Sequence, residues 1–133
     1  MPNHSRELVV YIVDDDDSVR KGLSRLMRSA GLSSQDFDSA EAFLAGVTNE
    51  DCGCVLMDVT MPRLTGLQMQ VELKRRRIDL PVIAVSARDD ADTRDMAQRL
   101  GADFFFRKPV DDQALIDAIH WVLGRHRQNL SSN

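Results

Sequence analysis

The chain alternates short, wholly apolar runs with longer segments in which apolar residues recur every three or four positions. Leu8-Val9-Val10-Tyr11-Ile12-Val13 and Val82-Ile83-Ala84-Val85 have no polar interruption, the pattern of strands buried on both faces. A third run, about Cys54 to Met57, leads straight into Asp58. Met61-Pro62 then rules out a continuing central strand, because proline brings no N–H to the ladder. Weaker strands are predicted around Ser33 to Phe37 and at Phe104-Phe105-Phe106. Between the first two strands, Val19, Leu23, Leu26, Met27 and Ala30 share a helical face closed by Gly31, with Asp16 or Asp17 as the N-cap. Asp38 with Glu41 resembles a capping box for a short helix carrying Ala40, Phe43, Leu44 and Val47. Further helices are predicted over about 67–77, over about 91–100 with Gly101 as its stop, and from about Asp111 with Leu115, Ile119, Val122 and Leu123 facing inward. From Gly124 the pattern lapses. Residues 1–124 are therefore expected to form the folded domain, and 125–133 a flexible tail or the start of a linker.

Five strand–helix units in strict alternation imply an α/β fold with a parallel sheet covered on both faces. Five units are too few for an eight-fold barrel, which leaves an open doubly wound five-stranded parallel sheet, and the flavodoxin-like order 2-1-3-4-5 is the form expected for it. A length of 133 residues suits one such core. The net charge of -4 removes a uniformly basic nucleic-acid footprint from consideration. Lys74-Arg75-Arg76-Arg77 is read as the solvated last turn of a helix, where cations suit the dipole. No apolar stretch is long enough to span a bilayer, and Met1 to Glu7 carries no hydrophobic core of a signal peptide, so a cytoplasmic protein without membrane contact is expected. Cys52 and Cys54 are read as reduced and buried. His4, His120 and His126 show no metal-ligand spacing with them.

In an open parallel sheet the functional crevice lies at the carboxyl ends of the strands. Those ends carry Asp14 and Asp15, then Asp58, Ser86 and Lys108, while the second strand ends in nothing comparable. The first and third strands flank the topological switch point, so three carboxylates are expected together beside one ammonium and one hydroxyl. Like charges this close raise one pKa or recruit a cation, and oxygen-only ligands with room for phosphate suit Mg²⁺. A carboxylate is a competent nucleophile toward phosphorus. Asp58 is thus expected to accept a phosphoryl group, Asp14 and Asp15 to hold the metal, Lys108 to pair with the phosphate and Ser86 to hydrogen-bond it. Each residue alone has an ordinary explanation as a cap, a surface charge or a strand terminus. Their joint occurrence at four of five strand ends does not.

The segments VYIVDDDDSVR, LMDVTMPRLTG, PVIAVSA and GADFFFRKP, in this order and spacing, resemble the response-regulator receiver family of two-component signalling. The resemblance runs from about Glu7 to Leu123. FDSAEAFL is most similar to the subgroup whose members often carry a C-terminal helix-turn-helix DNA-binding domain. The resemblance implies Mg²⁺ held by Asp15, Asp58 and the Thr60 carbonyl, with Asp14 acting largely through water. It makes Asp58 the phosphoacceptor, Ser86 and Phe105 the switch pair, and the Ala87 backbone N–H a phosphate contact. It also implies a cis peptide before Pro109, a sensor histidine kinase as phosphodonor, phosphorylation-dependent homodimerisation, and DNA contact only through a separate output domain. Thr65 before Gly66, Val110 after Pro109 and Phe105 in place of tyrosine depart from the commonest pattern.

Two other readings stay open from the sequence. One is a metal-dependent phosphatase with an aspartyl nucleophile. Such enzymes usually place an acid/base residue two positions after the nucleophile, where this chain has Thr60. The other is a receiver-like interaction module that is never phosphorylated, which leaves the full residue set without a purpose.

Overall fold

The computed structural model describes residues 7–88 and 90–131, with backbone alone for 129–131. The polar start with His4, Asp89, and Ser132-Asn133 of the expected tail lie outside the described residues. Five strands and five helices alternate: β1 (Val9–Val13), α1 (Asp17–Ser29), β2 (Ser33–Phe37), α2 (Ala40–Gly46), β3 (Gly53–Asp58), α3 (Gly66–Arg75), β4 (Val82–Ser86), α4 (Ala91–Arg99), β5 (Ala102–Arg107) and α5 (Asp112–Ser131). All strand pairs are parallel and the sheet order is β2-β1-β3-β4-β5, the expected flavodoxin-like order.

Side-chain alternation along the strands builds two cores. Tyr11, Val13, Met57 and Ala84 meet Phe43, Leu44, Met69, Leu73 and Ala97 of α2, α3 and α4. Val10, Ile12, Leu56 and Ile83 meet Met27 of α1 and Leu115, Ile119 and Val122 of α5 on the other face. β1, β3 and β4 are buried throughout, which is why they read as unbroken apolar runs. β2 and β5 are the edges and keep polar residues. Cys52 and Cys54 are both buried and form no disulfide, and burial pushes the Cys54 thiol up to about 12, so it is inert at neutral pH.

Local differences from the sequence expectations have simple causes. The cap of α2 is Ser39, not Asp38: its side chain accepts from the Ala42 N–H at 3.0 Å. Asp16 caps α1, and Gly31 follows that helix with φ of 73°, the left-handed stop a glycine supplies. Thr65 and Gln68 form a reciprocal capping box that starts α3. In the basic stretch, Arg75 and Arg76 both pair with Glu72, so half of the cluster is committed within its own helix. The helix of the last unit carries on past Gly124, where the sequence pattern lapses. α5 continues to Ser131, because Val122, Leu123 and His126 are buried on the domain and Arg125 reaches Asp103 at 3.3 Å. Packing on both sides of one glycine outweighs its roughly 1 kcal/mol helix penalty. No helix among the described residues is long and apolar enough to cross a membrane.

Candidate functional site

The carboxyl ends of β1, β3 and β5 bring four of the expected residues together. Asp14, Asp15 and Asp58 each offer an oxygen, and these oxygens lie within 4.8 Å of one another. The Lys108 ammonium sits 2.9 Å from Asp14 Oδ2 and 3.5 Å from Asp58 Oδ2. Asp14 and Asp58 are buried, whereas Asp15 is exposed at the mouth. Asp58 Oδ1 accepts from the Thr60 N–H at 3.0 Å, and Asp14 Oδ1 accepts from the Asp16 N–H at 2.9 Å. Each buried carboxylate is therefore aimed by one backbone donor and one face of the same lysine. A cleft of about 530 Å³ between α1 and α5, walled by Val19, Leu23, Leu26 and Val110, opens onto this group.

Ser86 and Phe105 lie next door rather than in the cluster. Ser86 is fully buried at the end of β4, and its Oγ accepts from the Arg88 N–H at 3.0 Å. No hydrogen bond joins Ser86 to Asp58 among the described residues. Ala87 follows on the exposed loop. Phe105 pairs with Ala84 across the β4–β5 ladder, is half-buried against the α2–α4 core, and lies under the Arg94 guanidinium at 5.3 Å. The Lys108–Pro109 peptide is cis.

Two residues that build the site were not singled out from the sequence. Arg20 donates to the Asp14 carbonyl at 2.6 Å and pairs with Asp17 and Asp36. It thereby ties the end of β1 to α1 and β2. Its place on the first turn after the aspartate run was the available signal. Gly66 lets the start of α3 press against the end of β3: a Cβ there would lie 2.7 Å from the Asp58 carbonyl oxygen and 2.9 Å from Val59 Cα. Its N–H donates to the Val59 carbonyl at 3.0 Å. Nothing in a lone Thr-Gly pair announces that contact.

Three acids against one ammonium leave the pocket with a formal charge of about -2, which bears directly on Asp58. Burial first, then the neighbouring Asp14 and Asp15, push its carboxyl up to about 6, against the opposing pull of the Thr60 N–H and Lys108. Lys108 loses some basicity to burial, but Asp14 and Asp58 hold it above its ordinary value. The unfolded carboxyl titrates near 3.8. Between about 4 and 6 the folded chain therefore binds more protons than the unfolded one, and stability contributed by this group falls as pH rises through that window. Asp58→Asn keeps the acceptor for Thr60 and removes the charge. Without added metal at pH 7.5 it is expected to be more stable than wild type by about 1–2 kcal/mol, below the full ~1.36 kcal/mol per pKa unit because the cleft is open to water. Denaturant unfolding at pH 7.5 and pH 4 checks this; the gain should vanish at pH 4.

The donor set fits a hard divalent cation. It is all oxygen, carries excess negative charge, and offers three carboxylates on one side with an open cleft on the other. The same arrangement has no cysteine or imidazole, the ligands softer metals prefer.

Comparison with known proteins places this geometry. The family described as "Response regulator receiver domain" matches residues 10–120. The response regulator protein TodT of Pseudomonas putida is 42% identical over 118 residues, 89% of this chain and 52% of that protein. The transcriptional regulatory protein FixJ of Azorhizobium caulinodans is 41% identical over 118 residues, 89% of this chain and 56% of that protein. The chain thus spans about half the length of the curated relatives it matches. Among solved structures, the response regulator StyR superposes with a TM-score of 0.90 at 35% identity, covering 96% of this chain and 64% of that one. The structure named FixJ-N superposes at 0.83 and 30% identity, covering 90% of this chain and 96% of that one. With the site at the strand ends and the match extending over nearly the whole fold, the chain belongs to the response-regulator receiver family.

Proposed function

We propose that the chain is a phosphorylation-activated receiver in which Asp58 is the phosphoacceptor. The observation that carries this reading is the placement of Lys108 between Asp14 and Asp58 beside three convergent carboxylate oxygens. In the reaction an Asp58 oxygen attacks phosphorus and the bond to the donor's leaving group breaks, with the electron pair going to the leaving group. A sensor histidine kinase would be the natural donor. Thr60 holds Asp58 Oδ1, so the carboxylate meets phosphorus in one orientation. Lys108 faces the developing charge, the Ala87 N–H contacts the phosphoryl oxygens, and Ser86 supplies a hydroxyl once it leaves Arg88. Asp14, Asp15, Asp58 and the Thr60 carbonyl would hold Mg²⁺, which when bound neutralises charge on the phosphoryl oxygens.

The phosphoryl group adds about -1.5 to -2 charge beside Ser86. Movement of Ser86 toward it would open space for Phe105 and so alter the surface made by α4, β5 and α5. This is a shift between two states biased by contacts the phosphate makes in only one of them. The output is regulation of transcription through an output domain outside this sequence, with DNA contact made there, a phosphorylation-dependent homodimer, and a cytoplasmic setting. The transcriptional part of this reading is supported by the similarity to the transcriptional regulatory protein FixJ. In that arrangement residues 1–124 are the receiver, and the end of α5 with residues up to 133 leads toward the output half.

The chain catalyses at most its own phosphorylation and dephosphorylation. The phosphatase reading is not favoured: Thr60, two residues after Asp58, is no acid/base group, and the relatives are response regulators. Incubation with acetyl phosphate and Mg²⁺ followed by intact mass measurement tests the proposal. One added phosphoryl group, absent with chelator, is expected. An unchanged mass, or repeated turnover of a phosphomonoester, would refute it.

A further inference from the structure

α4 is fastened to the domain at two ends by unlike contacts. Near its start, the Arg94 guanidinium lies over Phe105 at 5.3 Å. At its far end, Gln70 of α3 donates from Nε2 to the Ala97 carbonyl at 3.1 Å. Both partners are buried, Gln70 at 1% exposure and Ala97 at 0%. The last turn of α4 explains the target. Leu100 N–H bonds the Met96 carbonyl and Gly101 N–H bonds the Gln98 carbonyl. The Ala97 carbonyl is one of the terminal acceptors a helix cannot satisfy itself, and Gln70 caps it from the neighbouring helix.

Gln70 is an odd choice for packing. Its Oε1 is buried with no hydrogen-bond partner among the described residues. A leucine or methionine would fill the same volume without that unpaired acceptor. Reversing the amide would set two oxygens face to face, so the orientation is fixed by Ala97. The bond the amide makes is the one to the Ala97 carbonyl.

We infer that Gln70 is a positioning residue that pins the C-terminal turn of α4 to α3, so that α4 pivots about this end when its start is released from Phe105. The inference rests on the receiver reading for the event that releases Phe105, but the pin itself is present in the unphosphorylated chain. The loop from Ser86 to Asp90 enters α4 at the end opposite the pin. A phosphoryl group at Asp58 therefore acts on the end of α4 held at Phe105, and once that contact is released displacement grows with distance from Ala97.

Site-resolved amide exchange tests the pin and the pivot separately. In unphosphorylated protein, Gln70→Met should speed exchange at Leu100 and Gly101 by about tenfold, the value of one lost hydrogen bond, while Thr93 and Arg94 stay as in wild type. Global unfolding should show no loss of stability, since the unpaired oxygen is removed too. Gln70→Leu repeats the comparison with a different shape. Unchanged exchange at Leu100 and Gly101 in both variants overturns the pin. After acetyl phosphate and Mg²⁺, wild type should lose protection at Thr93 and Arg94 and keep it at Leu100 and Gly101. Equal loss at both ends overturns the pivot. Intact mass on the same sample shows whether phosphoryl entered at all. If none did, the receiver reading fails and the pivot with it, while the first comparison still decides the pin.

Discussion

Lys108→Met is expected to slow phosphorylation by acetyl phosphate on the order of a hundredfold while tightening Mg²⁺ binding. The two effects have one cause. The ammonium lies 2.9 Å from Asp14 and 3.5 Å from Asp58, so it is both the nearest counter-charge for an incoming phosphoryl group and a competitor for the cation. Removing one preorganised charge that faces the transition state typically costs about 10²–10³ in rate. Removing the same charge from a pocket with three carboxylates makes that pocket more negative and a better home for a divalent ion. Without metal, the loss of the lysine also removes a pull that lowers the Asp58 carboxyl, so Asp58 should titrate above its wild-type value of about 6. A time course by intact mass gives the rate, and calorimetric titration gives the affinity. Opposite movements of the two quantities identify lost charge. Parallel weakening of both would mean that the variant had simply disordered the site.

Gly66→Ala is expected to be the more damaging change to the fold, although it adds only one methyl group. That Cβ would lie 2.7 Å from the Asp58 carbonyl oxygen and 2.9 Å from Val59 Cα. Both are backbone atoms at the end of β3 where Asp58 sits, and backbone cannot swing aside as a flexible side chain does. Either α3 retreats, breaking the Gly66 N–H to Val59 bond, or the end of β3 shifts and re-aims Asp58. Overpacking of this kind costs about 1–3 kcal/mol, and with the bond lost a Tm drop of roughly 5–15 °C follows. Gly124→Ala is the matched control. It lies within α5 with nothing within 4 Å of the added Cβ, and it should stabilise by about 0.5–1 kcal/mol. Thermal unfolding of the two variants reads the contrast. A neutral Gly66→Ala would show that α3 does not press on β3 in solution.

The unequal legibility of the chain follows from where each kind of information resides. The central strands could be read directly because burial on both faces removes polar residues, as in Val9 to Val13 and Val82 to Ser86. The alternation of elements implied a doubly wound parallel sheet, and its order follows the flavodoxin-like form in which ligands gather at the switch point. The switch-point rule also grouped Asp14, Asp15, Asp58 and Lys108 before any distance was known. What escaped depends on contacts between segments far apart in sequence. The apolar pattern lapses from Gly124, yet α5 runs on because His126 is buried and Arg125 meets Asp103 and the Trp121 ring. Asp38 and Ser39 are both good caps, and only the approach of the chain from β2 selects Ser39. The close contact at Gly66 and the bond from Gln70 to Ala97 are likewise invisible to any local pattern. The family resemblance named the chemistry of the site but said nothing of Arg20, whose bond to the Asp14 carbonyl was seen only in three dimensions.

The electrostatics also separate Asp58 from its neighbours. It alone of the three acids lies at the end of β3, held by Thr60 and facing Lys108, with its carboxyl raised to about 6 by burial. A divalent cation bound beside it would favour the ionised carboxylate, which couples metal binding to readiness for attack. Asp14 is occupied by Lys108 and the Asp16 N–H, and Asp15 is exposed at the mouth. These differences support the proposal that Asp58 takes the covalent step, while sharing the metal with Asp14 and Asp15.

Reductive trapping gives the most direct measurement of that assignment. An acyl phosphate is reduced by borohydride to the corresponding alcohol, converting a phosphorylated aspartate to homoserine at the residue that carried the phosphoryl group. After acetyl phosphate and Mg²⁺, borohydride treatment and peptide mass mapping should place homoserine at position 58 and leave Asp14 and Asp15 intact. Homoserine at Asp14 or Asp15, or none at any position in protein shown to carry a phosphoryl group, would contradict the account.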